Sequence, residues 1–256
     1  MLLVRNLLYW LLVLLTTPVF FVLLLLAAPL PRRKRHVIGQ SWAQLLTWAL
    51  WHIVGLRYRV IGAENIIAEP AIICAKHQSG WETLSLQKIF PAQIFVAKQE
   101  LLWIPFFGWG LALMNPITIN RSDRSNANRR MQEQGLNRKQ HGFWISVFPE
   151  GTRVRPGLRG KYKLGAARMA RQLDMPLVPV AHNAGEFWPR NAFLKHPGEI
   201  TLVVGPALRP QDYAGPEAMT RAAEDWIEAR QREIGGVGPF AHPDERKARR
   251  ANARAA

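Results

Sequence analysis

Two short blocks hold the side chains best suited to chemistry. In His77-Gln78-Ser79-Gly80-Trp81-Glu82 an imidazole stands five positions ahead of a carboxylate. A neutral imidazole accepts a proton from an alcohol near neutral pH. A carboxylate on its other ring nitrogen fixes the tautomer and stabilises the imidazolium that forms. The second block is Phe148-Pro149-Glu150-Gly151-Thr152-Arg153. Here Pro149 ends a strand and Gly151 permits a tight turn with its amides turned outward. Thr152 and Arg153 can then hold a phosphate, the arginine in bidentate fashion. The two blocks together point to base chemistry on a hydroxyl carried by a phosphorylated molecule. Ser79 is a second candidate nucleophile, but its place two residues from the base suits a helix cap better.

One regular helix cannot bring His77 to Glu82, because five residues turn the side-chain direction by roughly 140° from its start. A turn between them can. The apolar run Ala71 to Ala75 reads as a buried strand, Lys76 to Gly80 as a loop, and Trp81 to Phe90 as a helix. Such strand-to-helix junctions are where α/β folds place active groups. Glu82 has a competing structural role. Ser79-Gly80-Trp81-Glu82 fits the Ser-x-x-Glu capping box, in which Glu82 closes the helix start.

Basic residues crowd the second block. From Arg153 to Arg171, both included, there are seven Lys or Arg and no acid, among them Arg155, Arg159, Lys161 and Lys163. A solvated loop would look the same. Ile119-Asn120-Arg121 also ends a strand with arginine, so Arg121 is a further phosphate candidate. Lys98-Gln99-Glu100-Leu101 could serve a headgroup or simply pack.

The chain has 256 residues, with 34 Lys and Arg against 18 Asp and Glu, giving a formal charge of +16. That length supports one large domain with a substantial core. So basic a chain favours a polyanion or an anionic surface. Cys74 is the single cysteine, which excludes an intramolecular disulfide and a multi-cysteine metal site. Its apolar neighbours mark it as a buried strand residue. From Leu7 to Ala28 the chain is apolar and uncharged, long enough to span a hydrocarbon core. The basic run Arg32-Arg33-Lys34-Arg35 follows, as on the cytoplasmic side of a retained anchor and unlike a cleaved signal peptide. Full spanning and a re-entrant path both fit. Trp42 to Leu56, with three of the ten tryptophans, reads either as an interfacial helix or as one packed on the domain.

Beyond Arg57, short apolar runs alternate with helical patterns. Strands are expected at Tyr58–Ile61, Gln93–Ala97, Ile117–Asn120, Phe143–Phe148, Leu177–Ala181 and Ile200–Val204. Helices are expected at Asn126–Gln140, Gly165–Leu173 and Met219–Ile234, with a partly helical, lipid-near segment at Leu101–Met114. The fold expected is α/β, a mixed, mostly parallel sheet flanked by helices behind an N-terminal membrane-anchoring segment. Its divisions are an anchor and interfacial helix over 1–56, a catalytic domain over 57–240, and a basic, disordered tail over 241–256.

With these blocks in order, the chain resembles the bacterial 1-acyl-sn-glycerol-3-phosphate acyltransferases over roughly residues 40 to 210. The carrying blocks are His77 with Glu82, the stretch ending at Arg121, the full Phe148–Arg153 pattern, and Val178-Pro179-Val180-Ala181. Two positions depart from the family pattern. Glu82 stands where Asp is commonest, and Lys76 where Asn is frequent. The resemblance implies that His77 takes the proton of the 2-hydroxyl of lysophosphatidate while Glu82 stabilises the imidazolium. The oxygen then attacks the thioester of acyl-CoA or acyl-carrier protein. Arg121 and Arg153 hold the phosphate, and Glu150, Gly151 and Thr152 complete the substrate site. The fourth block lies near the acyl group. No cofactor, metal or acyl-enzyme is implied; the acyl thioester is a co-substrate. The implied partners are membrane lysophosphatidate, an anionic membrane surface and acyl-carrier protein. The implied location is the inner membrane, with the catalytic domain facing the cytoplasm. Another lysolipid acceptor, such as a lyso-ornithine lipid, stays open, though a phosphate-free acceptor would leave the arginines without their anion. A membrane-tethered nucleic-acid binder would need basic residues interleaved with exposed aromatics or a docking motif, and the sequence shows neither.

Overall fold

The computed structural model describes residues 1–119 and 124–255. At its centre is a seven-stranded sheet. Its strands are β1 (Leu56–Ile61), β2 (Ile72–Ala75), β3 (Gln93–Lys98), β4 (Ile117–Ile119), β5 (Trp144–Val147), β6 (Leu177–His182) and β7 (Gly198–Val204). Their order is β1-β7-β6-β2-β5-β3-β4, and only the β6–β7 pair is antiparallel. The mixed, mostly parallel sheet expected from the sequence is therefore present. β2 has β5 on one side and β6 on the other. The loops that leave β2 and β5, which carry the two chemical blocks, are thus neighbours at the carboxyl edge of parallel strands. Open α/β sheets bind ligands there.

Strand alternation sorts the core into two layers. Ile72 and Cys74 face α5 (Arg124–Gln140), α6 (Gly165–Leu173) and α7 (Pro216–Ile234), sharing a cluster with Met131, Met169 and Ile227. Ile73 and Ala75 face α3 (Trp81–Ile89), sharing a cluster with Trp81 and Leu86. Because all four residues of β2 are buried, the strand reads as a continuous apolar run. Cys74 is buried within it, as expected.

The N-terminal region belongs to this second layer. α1 (Leu2–Leu26) and α2 (Arg32–Ala49) form an antiparallel hairpin, with Trp42 donating to the hydroxyl of Thr16 at 3.1 Å. α1 is long and apolar enough to cross a membrane. Yet it touches the catalytic unit at both ends. Near its start, Tyr9 meets Trp188 and Trp10 stacks on Phe193; near its end, Phe21 meets Phe106 and Trp109. The opposite face, with Leu7, Leu11, Leu14 and Leu15, is exposed. α2 begins at the basic run, continues into a π-turn over Leu50–Val54, and buries Ala43, Leu46, Leu50 and Val54. Of the two alternatives for Trp42–Leu56, packing on the domain is what this face does, while Trp48 stays exposed. A division at residue 56 therefore does not separate two cores: Tyr9, Leu50 and Val54 pack with Ile73 and Trp81.

The tail departs from expectation. It forms α8 (Pro243–Ala255) where disorder was expected. Pro243 opens the helix, and Asp244 and Glu245 follow where the helix dipole favours acids. Arg246 then ties it down by donating to the carbonyl of Gly238 at 2.9 Å.

One contact docks α1 to the domain. Asn6 donates to the carbonyl of Lys195 at 3.0 Å and accepts from its amide at 2.8 Å. The Lys195 ammonium is fully buried, 3.7 Å from the centre of Trp10 and 4.7 Å from those of Tyr9 and Trp188. It donates to the carbonyl of Phe193 at 3.0 Å. Ring faces attract a cation, but burial still lowers its pKa to about 7 from 10.5. A depressed lysine pKa means that the unfolded chain binds the extra proton between those two values. Stability should accordingly rise as pH climbs from about 7 toward 10.5. In thermal melts at pH 6 and pH 9, the wild type should gain more on going to the higher pH than Lys195→Met does. Equal gains would mean that Lys195 is not held in this way.

Candidate active site

β2 ends at Ala75, and alternation carries past it: Lys76 turns to the α7 face and His77 to the face beneath α3. His77 Nδ1 lies 2.8 Å from Glu82 Oε1. The chain turns between them, as the sequence required. Oε1 also accepts the amides of Gln78 at 2.9 Å and Ser79 at 2.8 Å. The two roles weighed for Glu82 are therefore one arrangement. The same oxygen closes the loop at the helix start and accepts the imidazole N–H. Ser79 is fully buried, and its hydroxyl accepts the amide of Trp81 at 3.1 Å, a capping contact.

Glu82 is itself fully buried. Burial pushes its pKa up, but nearby His182, the His77 contact and the Ser79 amide together hold it below the ordinary carboxylate value. His182 is buried too, and its pKa is lowered chiefly by desolvation. Its Nε2–H donates to the carbonyl of Lys76 at 2.8 Å. An ionised carboxylate only accepts, so Nδ1 of His77 carries the proton. In the neutral ring, Nε2 then keeps its lone pair. The imidazole is stacked on Phe148 at 4.0 Å and 12°, and Phe148 on Phe95 at 5.9 Å. The ring plane is thus fixed by packing as well as by hydrogen bonding.

The second block bends back over this base. Gly151 adopts φ 66° and its amide bonds to the carbonyl of Phe148 at 3.0 Å, the tight turn expected of it. Glu150 departs from the expected role. It was expected to meet substrate, but it is buried and absent from the cavity wall. Its Oε2 accepts the amide of His77 at 2.8 Å, and its Oε1 pairs with Lys76 at 2.8 Å. Glu150 therefore supports the His77 loop. Burial raises its pKa despite the pull of Lys76.

His77 lines a cavity of about 940 Å³. Its wall includes the cations Lys98, Arg153, Lys163 and Arg190, together with Gly151 and Thr152. Among the described residues no acidic side chain lines it. Buried Nε of Arg153 makes no hydrogen bond among the described residues. Gly165 and Ala166 add the first turn of α6, the positive end of a helix dipole. The wall also includes apolar side chains: Phe20, Phe21 and Leu24 of α1, Trp42 of α2, and Phe107 and Leu111 of α4 (Phe107–Leu113). This arrangement can bind an amphiphile with an anionic end and present a hydroxyl to His77 Nε2.

Arg121 lies outside the described residues. Val178–Ala181 form part of β6 in the buried sheet and none of them lines the cavity, so the expected closeness to the acyl site is not found. Sequence reasoning missed Arg190, which donates to the hydroxyl of Thr152 at 3.2 Å. Its only signal was a cation in the turn after Trp188-Pro189. Lys163 could not be told from its basic neighbours, because the whole loop from Arg153 is cationic.

Comparison with known proteins follows the same lines. The family model described as Acyltransferase matches residues 57–183. The chain is similar to a 1-acyl-sn-glycerol-3-phosphate acyltransferase of Pseudomonas aeruginosa, at 38% identity over 247 residues, 94% of this chain and 96% of that one. It is also similar to a protein of that name from Saccharomyces cerevisiae, at 34% over 150 residues, 57% of this chain and 50% of that one. In fold it resembles the crystal structure of the 1-acyl-sn-glycerophosphate acyltransferase of Thermotoga maritima. The TM-score is 0.76 at 22% identity, covering 91% of this chain and 95% of that one.

Glu82 makes the site's position depend on one carboxylate. Glu82→Gln keeps an acceptor oxygen but loses the charge that strengthens three hydrogen bonds. It should destabilise the fold by about 1–3 kcal/mol, read as a lower midpoint in denaturant or thermal melts. An unchanged midpoint would show that the loop is held by other groups.

Proposed function

The chain belongs to the acyltransferase family of the 1-acyl-sn-glycerol-3-phosphate acyltransferases, and from that premise we propose how its own residues perform the transfer. It is an O-acyltransferase that converts lysophosphatidate to phosphatidate. His77 Nε2 accepts the proton of the 2-hydroxyl as that oxygen attacks the thioester carbonyl. The tetrahedral adduct collapses, the C–S bond breaks, and the imidazolium returns its proton to the departing thiolate. Glu82 keeps the imidazole in the receptive tautomer and stabilises its cationic form. Arg153 holds the phosphate, with Lys98, Lys163 and Arg190 around it and Arg121 as a further ligand. Gly151 and Thr152 shape the turn that carries them. The acyl group passes directly between substrates, with no cofactor and no acyl-enzyme.

One observation carries this reading. A carboxylate-oriented histidine lines a cavity whose wall carries both cationic and apolar side chains. A lysolipid has that distribution of charge and hydrocarbon. The thioester donor is acyl-CoA or acyl-carrier protein, both anionic and suited to the basic rim.

The exposed leucines of α1 and the aromatic residues Trp103, Phe106 and Trp109 offer a lipid-facing surface around the cavity. Membrane association follows from this apolar helix and from the family. With both its ends held to the rest of the protein and its middle to α2, α1 is better suited to lying within one leaflet than to spanning two. We place the enzyme at the inner membrane facing the cytoplasm, where the basic start of α2 meets anionic headgroups.

Detergent-purified protein supplied with lysophosphatidate and either acyl-CoA or acyl-carrier protein should form phosphatidate. His77→Ala should lower turnover by about 10²–10⁴-fold, the usual worth of a general base, without loss of fold. Wild-type turnover in that variant would remove His77 from the mechanism. A wild type that acylates only other lysolipids would replace the acceptor.

A further inference from the structure

Behind His77 lies a charge cluster that the reaction itself does not use. The Lys76 ammonium is 1% exposed. It meets Glu150 Oε1 at 2.8 Å, Glu228 Oε1 at 2.6 Å and the carbonyl of Leu158 at 3.2 Å. Two of its three protons go to Glu228 and to the Leu158 carbonyl, and the contact with Glu150 is an ion pair. Glu228 Oε1 also accepts the phenol of Tyr162 at 2.9 Å. Glu150 hands the contact on through Oε2 to the amide of His77.

We propose that Glu228 of α7, beyond the matched family region of 57–183, is a positioning residue for acyl transfer. Through Lys76 it fixes the loop of the base, and through Tyr162 it fixes the basic loop that starts at Arg153. This inference rests on the proposed reaction.

The cluster is a poor device for stability alone. Burying an ion pair usually yields no more than a well-packed apolar group would. Here two carboxyl groups are gathered on one buried ammonium. What the cluster supplies is geometry. Lys76 and His77 are adjacent, about 3.8 Å apart at Cα, so the place of the ammonium sets the place of the imidazole. Gln231, one α7 turn further on, supports the same loop. It accepts from Gln78 Nε2 at 2.9 Å and donates to the carbonyl of His182 at 2.9 Å. The helix thus touches both residues that flank His77, and neither α7 contact faces the cavity.

The test uses the full chain and the lysolipid that the wild type acylates. Glu228→Asp keeps the charge and withdraws it by one methylene. Its kcat should fall at least tenfold, since misplacement of about 1 Å can cost 10²-fold. KM for the thioester should stay within twofold, and Tm within about 4 °C, the shift for roughly 1 kcal/mol. A structural role would give the reverse: a lower Tm with wild-type kcat per folded enzyme. Tyr162→Phe removes one hydrogen bond without opening the core, and it decides the matter if Glu228→Asp fails to fold. It should lower kcat severalfold, and the double variant should be no slower than Glu228→Asp alone, because the two act in one network. Wild-type kcat in Tyr162→Phe and in folded Glu228→Asp would overturn the inference while leaving the reaction intact. A wild type that acylates no lysolipid would overturn the proposed reaction and this inference with it.

Discussion

Oε1 of Glu82 receives three N–H groups, from the His77 ring and from the amides of Gln78 and Ser79. A fully buried carboxylate is tolerable only with such compensation. Here the compensation also serves the proposed chemistry, because the loop that neutralises the charge is the loop that carries His77. Any movement of His77 away from Glu82 would expose a buried anion to an apolar core. The imidazole is thus held by the cost of leaving its place. That ties the geometry of the proposed base to folding stability at one oxygen atom.

The sheet makes this possible. β2 lies between β5 and β6, so its carboxyl end is flanked by the turn at Gly151 and by His182. Alternation at the strand end sends Lys76 and His77 to opposite faces, one to a charge cluster under α7 and the other to the cavity under α1, α2 and α4. The apolar N-terminal hairpin supplies the wall on which hydrocarbon can lie. That apolar wall and His77 line one cavity, so in the proposed reaction a lysolipid chain can lie against hydrocarbon while its hydroxyl meets the imidazole.

Much of this was legible in the chain. Continuous apolar runs bounded by turn residues marked β2, β5, β6 and β7 because strands buried on both faces have that composition. Gly165–Leu173 was found at its observed limits. His77 and Glu82 were legible as a pair because the intervening loop residues allowed a turn. Glu150 was not, since a carboxylate inside an otherwise anion-binding block gives no sign that it turns inward to Lys76. The Lys195 contact was hidden for another reason: Tyr9, Trp10 and Trp188 meet only after α1 folds back on the domain. In the tail, charge density signalled disorder, whereas acids placed at the helix start and an Arg246 contact give order.

Nitrogen-15 NMR of histidine-labelled protein near neutral pH tests the arrangement at Glu82 most directly. His77 should show a protonated Nδ1, with its proton shifted downfield by the carboxylate, and an unprotonated Nε2. Loss of Glu82 should erase that preference. A wild-type His77 with its proton on Nε2, or exchanging freely between both nitrogens, would contradict a base oriented by Glu82.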